Sequence, residues 1–387
     1  MFDTPLEIAV AASSALIVYH HAIYPRLATW LGDNGPDTRP MPIRSALPRV
    51  TVVMPAFNEE QHIAAKISNL VGQDWPADRL QVLIGCDGCT DDTVEIARHA
   101  ASCHPDVSIG VIDFSINRGK VAVLNDLIRQ ARGQIIVISD VSALLPTDAI
   151  SRLAAHFADP SVGAVGAGYS PACDTTGGEK AYWAYQSRIK QGEARIGGLI
   201  GAHGACYAIR AGLYQPLGRS VINDDFLIPM RIALGGWRTL YDADIRVREL
   251  QASPDSMDFN RRVRIGRGNA QQLAAVLPRL SLRRAGLSFA FLSGKGARVV
   301  MPFLMLIALA GSAIAAAAGS VPMTMLLALQ APAYLAAALA TLFPALRRIR
   351  KIEALRYLVT GHVASAIGAF QFLTGRKRGA WRRVAEA

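Results

Sequence analysis

The sequence contains few charged side chains for its length. Only 18% of its 387 residues are Asp, Glu, Lys or Arg, whereas about a quarter is usual in soluble domains. The hydrophobic share of 51% excludes an intrinsically disordered chain, which needs low hydrophobicity. Five Cys without a regular spacing exclude a small disulfide-held scaffold, and the lack of a strict repeat excludes collagen and coiled coils. The length therefore allows roughly two or three compact domains, with hydrophobic residues in excess.

Charged side chains are missing altogether between Arg298 and Arg347. A single helix over residues 299–346 would be more than twice as long as the roughly 30 Å hydrocarbon core of a bilayer, so two spans with a turn near residues 319–322 are predicted. Residues 8–24 form a shorter apolar stretch without the basic start and cleavage site of a secretory signal, which indicates an anchor. Residues 357–374 are a weaker candidate for a further span, because they include polar side chains. These stretches predict an integral membrane protein.

Basic residues flank the first apolar stretch unevenly. Only Asp3 and Glu7 precede it, whereas arginines follow it at positions 26, 39, 44 and 49. By the positive-inside rule, the middle of the chain is cytoplasmic. If residues 357–374 crossed the membrane completely, the basic end of the chain would lie outside. Either that segment is re-entrant or the rule fails there, and both alternatives stay open.

Residues 261–298 carry several basic side chains and no acidic one. Apolar positions between them predict interfacial helices on an anionic membrane surface, with a solvated basic face as the alternative. Nucleic acid is not an expected partner, because these residues adjoin the apolar tract. The predicted organisation is a transmembrane anchor over residues 1–30, a cytoplasmic domain over 45–258, interfacial helices over 259–298, a membrane region of two to three segments over 299–376 and a basic tail over 377–387.

The middle of the chain alternates short apolar runs with helical stretches. Strands are predicted over residues 49–54, 80–85, 107–112 and 134–139, and helices over 61–71, from about Asp92, and over 121–131. Runs of β-branched residues that alternate with helices predict parallel β-α-β units and therefore an α/β fold. Ligands of such folds bind at the carboxyl ends of the strands.

Polar residues gather at those predicted strand ends, in segments 55–60, 87–92, 117–120 and 139–142. A single Asp in such a place is commonly a helix cap or a turn residue. Four such segments at one edge favour a site instead. No G-x-G-x-x-G follows the first strand and no G-x-x-x-x-G-K-[ST] occurs, which disfavours dinucleotide redox and P-loop chemistry.

Six short motifs stand out along the chain, in segments 55–59, 87–91, 117–120, 139–140, 204–210 and 223–226. Their order resembles that of the motifs in family-2 glycosyltransferases with a GT-A fold. With the membrane flanks, the chain resembles the membrane-bound branch of that family, which makes bacterial surface polysaccharides, and the resemblance extends from Tyr24 to Trp381. It implies a GT-A domain with a mostly parallel sheet, in the cytoplasm beneath the inner membrane, and a nucleotide sugar of the UDP-linked kind as the donor.

The resemblance also implies roles for individual residues near the donor. Pro55, Ala56, Glu59 and Asp87 would line the uridine pocket, and Lys120 would lie near the nucleotide or its phosphates. Asp140 corresponds to the first Asp of an Asp-x-Asp motif, which touches ribose and a metal ion, Mg²⁺ or Mn²⁺. The second position of that motif is Ser142, a departure that Mg²⁺ tolerates because it uses one or two carboxylates together with phosphates.

The acceptor side depends on an acidic pair. Direct displacement with inversion needs a base on the face opposite the diphosphate, and the resemblance assigns it to Asp225, with Asp224 as the neighbouring carboxylate that tunes it. The alternative is a helix N-terminus, where acidic residues are common. Processive relatives carry Gln-x-x-Arg-Trp, and here Arg264 matches the Arg while Ile265 replaces the Trp. Arg264 and Arg267 would meet the diphosphate.

Without the Trp platform, the sequence favours transfer of one sugar to a lipid-linked acceptor, such as one linked to a polyprenyl diphosphate. The alternatives are a processive synthase, an enzyme that glycosylates polyprenyl phosphate itself, and an inactive scaffold of a polysaccharide complex. Cys86 and Cys89 have C-x-x-C spacing without a second pair, which favours reduced thiols over zinc. His20 and His21 lie in the first span, where we expect them near the lipid headgroups.

Overall fold

The computed structural model describes residues 4–34, 40, 46–171, 177–250 and 255–375. Arg39, Arg44 and the predicted basic tail 377–387 lie outside the described residues. The chain divides into two compact units. The sheet unit comprises the described residues of Ala28–Ser253 and Arg279–Ala290. The helical unit comprises the described residues of Met1–Leu27, Pro254–Pro278 and Phe291–Lys377.

In the residues that the structure describes, the sheet unit has eight strands, and helices connect them. The strands are β1 Val50–Ala56, β2 Leu80–Asp87, β3 Ser108–Phe114, β4 Ile135–Ser139, β5 Ala143–Leu144, β6 Val162–Ser170, β7 Cys206–Arg210 and β8 Arg238–Glu249. The α-helices are numbered in chain order. The first long helix consists of α1 Pro5–Val18 and α2 Tyr24–Asp33. It is followed by α3 Ile63–Val71, α4 Thr93–Ser102, α5 Lys120–Gln130, α6 Ala149–His156, α7 Gly177–Ile196 and α8 Asp224–Leu234.

The strand order is β3-β2-β1-β4-β7-β6-β8-β5. β3, β2, β1 and β4 are parallel, as predicted, which confirms the α/β fold class. Beyond β4 the sheet is mixed, because β7 pairs antiparallel with β4 and β6, β8 pairs parallel with β6, and β5 pairs antiparallel with β8. Every residue of β1 is buried, as expected for a parallel strand covered on both faces.

Helices cover both faces of the parallel half. Val52 and Met54 of β1 pack with Ile63 and Ile67 of α3 on one face. On the other face α5 lies so close to β2 that a side chain at Gly85 would collide with Val123. Three predicted strands ended two residues too early, because Pro55 and Gly88 resemble turn residues. The parallel ladder nevertheless continues to Ala56, Asp87 and Phe114.

The remaining helices are α9 Asp255–Val276, α10 Ala285–Phe291, α11 Ala297–Ala317, α12 Val321–Leu342 and α13 Arg350–Leu373. π-helical turns at Tyr19–Ile23 and Leu292–Gly296 join α1 to α2 and α10 to α11. Among the described helices, three stretches are long and apolar enough to cross a membrane: Pro5–Asp33, Leu282–Ala317 and Val321–Leu342. The anchor and the two spans with a turn near 319–322 were predicted in these places. The weaker candidate, 357–374, lies in α13, which is not among the three.

The segment predicted as interfacial helices, 259–298, is divided between α9 and the first part of the Leu282–Ala317 stretch. Its position on a membrane surface stays a prediction. Within the helical unit α9 packs tightly on α13, because the α-carbon of Gly266 lies against the backbone of Ser365, and Gly368 lies against the carbonyl of Val263. Small residues at such contacts let helix backbones approach closely.

Candidate active site

The ends of neighbouring strands bring the predicted residues of the sheet unit to one edge. β1 and β2 pair in parallel almost to their ends, so Ala56 and Asp87 finish side by side. β4 lies on the other side of β1 and ends directly before Asp140. Pro55 is buried in β1 next to Ala56, and Glu59 follows in a half-buried loop. The strand pattern predicted this common edge.

The loops after β1 and β2 are tied together by side-chain amides and hydroxyls. Asn58 has a left-handed backbone conformation, with φ of 53°, and its amide nitrogen donates to the Thr90 hydroxyl at 3.0 Å. The side-chain oxygen of Asn58, Oδ1, accepts from the Thr90 N–H at 2.9 Å. The Glu59 N–H donates to the Thr93 hydroxyl at 2.7 Å. The loop that carries Glu59 is therefore held in place by the start of α4.

Asp87 is completely buried, and its carboxylate holds a turn. One oxygen accepts from the Arg118 N–H at 2.8 Å and the other from the Gly119 N–H at 2.7 Å. Gly119 has a φ of 88°, which favours glycine, and α5 begins at the next residue, Lys120. Asp87 thus positions Lys120 through two backbone amides. Its predicted contact with a nucleotide stays a prediction.

Lys120 lies among carboxylates. Its Nζ donates to Oδ1 of Asp140 at 2.8 Å and lies 3.7 Å from Oδ1 of Asp224. Burial alone would lower the pKa of Lys120, but Asp140, Asp224 and Asp225 outweigh it and hold the pKa above its ordinary value. Lys120 is therefore a permanent cation at this edge of the sheet.

The acidic pair opens α8. Asp224 is buried, with 4% of its surface exposed, and accepts a hydrogen bond from the Tyr207 hydroxyl at 3.1 Å. Burial, together with Asp224 and Asp225, raises the pKa of Tyr207 well above its ordinary value, so this hydroxyl remains a donor. Asp225 is more exposed than Asp224. Both residues occupy the first helical turn, so the helix-start interpretation is correct and compatible with a chemical role for Asp225.

Gly204 marks the point where these groups meet. A β-carbon placed there would lie 3.2 Å from Oδ2 of Asp140, 3.8 Å from Oδ2 of Asp225 and 3.8 Å from Nζ of Lys120. Carboxylates from two different elements therefore face one small space that the absence of a side chain leaves open. Gly204 opens the motif 204–210, but the motif did not predict this role.

Lys66 was missed in the sequence. It is completely buried, and its Nζ donates to the Ser139 hydroxyl at 2.8 Å and to the Ala143 carbonyl. These partners flank the loop that carries Asp140, and the Ser139 hydroxyl also donates to the Ala205 carbonyl at 2.8 Å. Burial lowers the pKa of Lys66 to about 8, although nearby Cys206, Asp140 and Glu249 act in the opposite direction. Lys66 lies on the apolar face of α3, and this position in the sequence is the feature that could have indicated its burial.

A group of aromatic rings adjoins Gly204. His203 stacks on Tyr169, with ring centroids 5.4 Å apart, and Trp183 of α7 lies 4.5 Å from Tyr169 and 5.5 Å from His203. These three side chains are partly exposed. Partly exposed aromatic faces can pack against the apolar faces of a ligand.

Arg264 and Arg267 lie in α9 of the helical unit. Arg264 and Ile265 are exposed, whereas Arg267 is half-buried. Their predicted contact with a diphosphate stays a prediction.

The donor set suits a divalent cation that is shared with a ligand. Asp140, Asp224 and Asp225 carry three negative charges against the one positive charge of Lys120. Within the described ranges, no three carboxylate, imidazole or thiolate groups are arranged to ligate one ion. Mg²⁺ and Mn²⁺ accept one or two carboxylates when phosphate oxygens complete the coordination. Asp140, whose Oδ2 faces the space at Gly204, fits that arrangement.

Comparison with known proteins gives consistent results. A family model described as glycosyltransferase-like family 2 matches residues 48–268, more than half of the chain. The beta-monoglucosyldiacylglycerol synthase of Synechocystis sp. is 27% identical over 198 residues, which cover 49% of this chain and 41% of that protein. The N-acetylglucosaminyltransferase of Rhizobium meliloti is 28% identical over 167 residues, which cover 43% and 38%. The chain thus spans about two fifths of the length of these curated relatives.

Among solved structures, the mannosyltransferase PcManGT from Pyrobaculum calidifontis, in complex with GDP-Man and Mn²⁺, has a TM-score of 0.74 and 27% identity. The match covers 95% of this chain and 100% of that one. The resemblance inferred from the six motifs and the GT-A fold class is confirmed.

Proposed function

The chain belongs to glycosyltransferase-like family 2 and is a glycosyltransferase, and on that premise we propose that it moves one sugar from a UDP-sugar to a lipid-linked saccharide with inversion at the anomeric carbon. The observation that carries the proposal is the meeting of Asp140 and Asp225 at Gly204. Two carboxylates on either side of one small space can serve the two sides of a displacement reaction.

On the donor side, Asp140 and Lys120 would receive the diphosphate. A divalent cation held by Asp140 would neutralise the negative charge that develops on the leaving diphosphate. Lys120, a permanent cation, would stabilise the same charge. Pro55, Ala56, Glu59 and Asp87 lie at the same sheet edge and would form the nucleoside pocket. The Mn²⁺ and GDP-Man bound to PcManGT support a divalent cation and a nucleotide sugar here.

On the acceptor side, Asp225 would take the proton of the attacking hydroxyl. Asp225 is the more exposed member of the pair, and Asp224 is engaged by Tyr207 and Lys120. A base must reach its proton directly, so exposure favours Asp225. The rings of Tyr169, Trp183 and His203 would pack against the acceptor sugar, in place of the Trp that the segment 261–265 lacks.

A membrane-bound acceptor fits the rest of the chain. Among the described helices, three stretches are apolar and long enough to cross a bilayer, and one relative is named a beta-monoglucosyldiacylglycerol synthase. The distribution of arginines supports a sheet unit on the cytoplasmic side of a bacterial inner membrane. Processive synthesis and glycosylation of polyprenyl phosphate itself remain competing interpretations, while intact Asp140 and Asp225 disfavour an inactive scaffold.

The test is a panel of UDP- and GDP-sugars incubated with the purified full-length protein and lipid-linked saccharides. We expect release of one nucleoside diphosphate with one donor, and mass spectrometry should find a single added sugar per acceptor. A ladder of additions would refute single transfer, and GDP release would refute the UDP donor. No release of either nucleotide, from folded protein with any acceptor, would refute the proposal as a whole.

A further inference from the structure

Two π-helical turns meet inside the helical unit. Tyr19–Ile23 interrupts the first long helix, and Leu292–Gly296 directly precedes α11. The Tyr19 hydroxyl donates to the Ser293 hydroxyl at 2.8 Å, and Nδ1 of His20 lies 2.9 Å from the Ser293 carbonyl oxygen, to which it donates. Single π-turns within α-helices are frequent at functional sites. Here two of them are joined by polar side chains.

Three imidazoles form a row beside these turns. The ring of His21 lies 4.9 Å from that of His20 and 5.1 Å from that of His362 in α13, and both contacts are edge-to-face. The positive charge of Arg298 at the start of α11 acts on all three rings. The row and Arg298 together are called the histidine cluster below.

The described acidic side chains of the helical unit have partners outside the histidine cluster. Glu7 caps α1 through Thr4 and contacts Ser320, and Glu353 pairs with Arg356 within α13. The histidine cluster therefore lies in a region that basic side chains dominate.

Several polar atoms of the helical unit are buried without hydrogen bonds to the described part of the chain. They include Nε2 of His21, Nε of Arg267, and both amide atoms of Gln272, a side chain with only 4% of its surface exposed. Arg267 and Gln272 lie on α9, which packs against α13 at Gly266 and against α11 through Ala270 and Val299. A buried group of this kind costs free energy unless a ligand or water satisfies it. Since the atoms of Arg267 and Gln272 include N–H donors, a ligand rich in oxygen acceptors would suit them.

The depth of the cluster follows from the apolar stretches. His20 and His21 lie near the end of the stretch 8–24, and Arg298 directly precedes the uncharged tract 299–346. By the limits of these two apolar tracts in the sequence, we expect both positions near the boundary between hydrocarbon and headgroups. With the predicted orientation, that boundary faces the cytoplasm, where anionic lipids are concentrated.

We propose that the histidine cluster binds the phosphate headgroup of an anionic membrane lipid. His21 and His362 donate N–H groups to phosphate oxygens, and Arg298 supplies the charge and a planar pair of donors. This lipid would be a structural ligand of the helical unit, and its binding does not depend on which sugar acceptor the enzyme uses.

The experiment is native mass spectrometry of the full-length protein in detergent, titrated with dioleoyl phosphatidic acid and, separately, with dioleoyl phosphatidylcholine. We expect phosphatidic acid to be retained about tenfold more strongly. Arg298→Gln and His362→Ala should each weaken that retention about tenfold, as the loss of a charge-assisted hydrogen bond predicts. Melting temperatures with and without lipid identify any variant that fails to fold.

Two control variants keep the result interpretable. Arg298→Lys retains the charge and should retain most of the binding, whereas Arg348→Gln removes an exposed charge from the same unit and should change nothing. Equal loss in Arg348→Gln would indicate non-specific attraction and overturn the site. A folded Arg298→Gln protein with unchanged retention would overturn it as well. Displacement of the lipid by an equal concentration of inorganic phosphate would reject the lipid as the source of the phosphate group.

Discussion

Replacement of Asp225 by Asn tests the proposed chemistry most directly. The amide has nearly the shape of the carboxylate but cannot accept a proton. General-base catalysis contributes about 10²–10⁴-fold in rate, so turnover should fall by about that factor. Asp225 is partly exposed in the first turn of α8, where the loss of a negative charge costs only about 0.3–1 kcal/mol of stability. The variant should therefore fold and still bind the nucleotide, because Lys120 and Asp140 are unchanged.

Asp224→Asn is the matched control, and the structure predicts the opposite result. This carboxylate is buried, accepts from Tyr207 and faces Lys120 at 3.7 Å. Hydrogen bonds to a charged group contribute about 1.5–3 kcal/mol. A loss of that size would lower the melting temperature by roughly 2–4 °C per kcal/mol in a unit of this size, while turnover of the folded fraction would fall less than in Asp225→Asn.

The measurements are nucleotide binding, melting temperature and single-turnover rate for both variants in one preparation. Near-normal turnover of Asp225→Asn, or an effect confined to its stability, would refute the assignment of Asp225 as the base. A larger kinetic loss in Asp224→Asn than in Asp225→Asn would assign the base to the buried neighbour instead.

Three further predictions follow from the same contacts. Asp140→Asn should abolish transfer without unfolding, and EDTA should do so reversibly with Mg²⁺ or Mn²⁺; full activity in EDTA would contradict the metal role. Gly204→Ala places a methyl group 3.2 Å from Oδ2 of Asp140 and should lower turnover while leaving the melting temperature nearly unchanged, as measured on the same sample. Because burial lowers the pKa of Lys66 to about 8, the unfolded chain binds more protons above that pH, so the free energy of unfolding should rise by up to about 3 kcal/mol between pH 8 and pH 10.5. Lys66→Met should remove that rise in denaturant titrations, and Arg79→Met, which loses a similar cation-to-carbonyl contact with Leu47, should not.

The parallel half of the sheet could be predicted because its signal is local. Runs such as residues 49–54 and 134–139 are apolar and β-branched, and helical stretches separate them. The mixed half gave no such signal, since the pairing of β7 with β4 and β6 joins segments far apart in sequence. The end of β1 was predicted too early because Pro55 resembles a turn residue. In the structure, β2 continues to pair with β1 beyond that position.

Site residues could be predicted where a charged residue follows a strand, as for Asp87 and Asp140. Sequence could not reveal that both oxygens of Asp87 hold the turn before Lys120, because the partners are backbone amides. Lys66 escaped because a lysine is ordinarily exposed, and its burial depends on a hydroxyl and a carbonyl more than seventy positions away. Contacts of this kind exist only after the strands have paired.

The π-turn at Tyr19–Ile23 also sets the rotational phase of the helix that follows it. A π-turn contains one residue more than an α-turn, and each residue of an α-helix advances by about 100°. If the same residues were wound as a regular α-helix, every later side chain would swing around the axis by about that angle. Tyr24, now only 2% exposed, would leave its buried position. The wide turn therefore absorbs one residue without rotating α2, and loss of the π-turn at constant length would disturb the burial of Tyr24 more than loss of the extra residue itself.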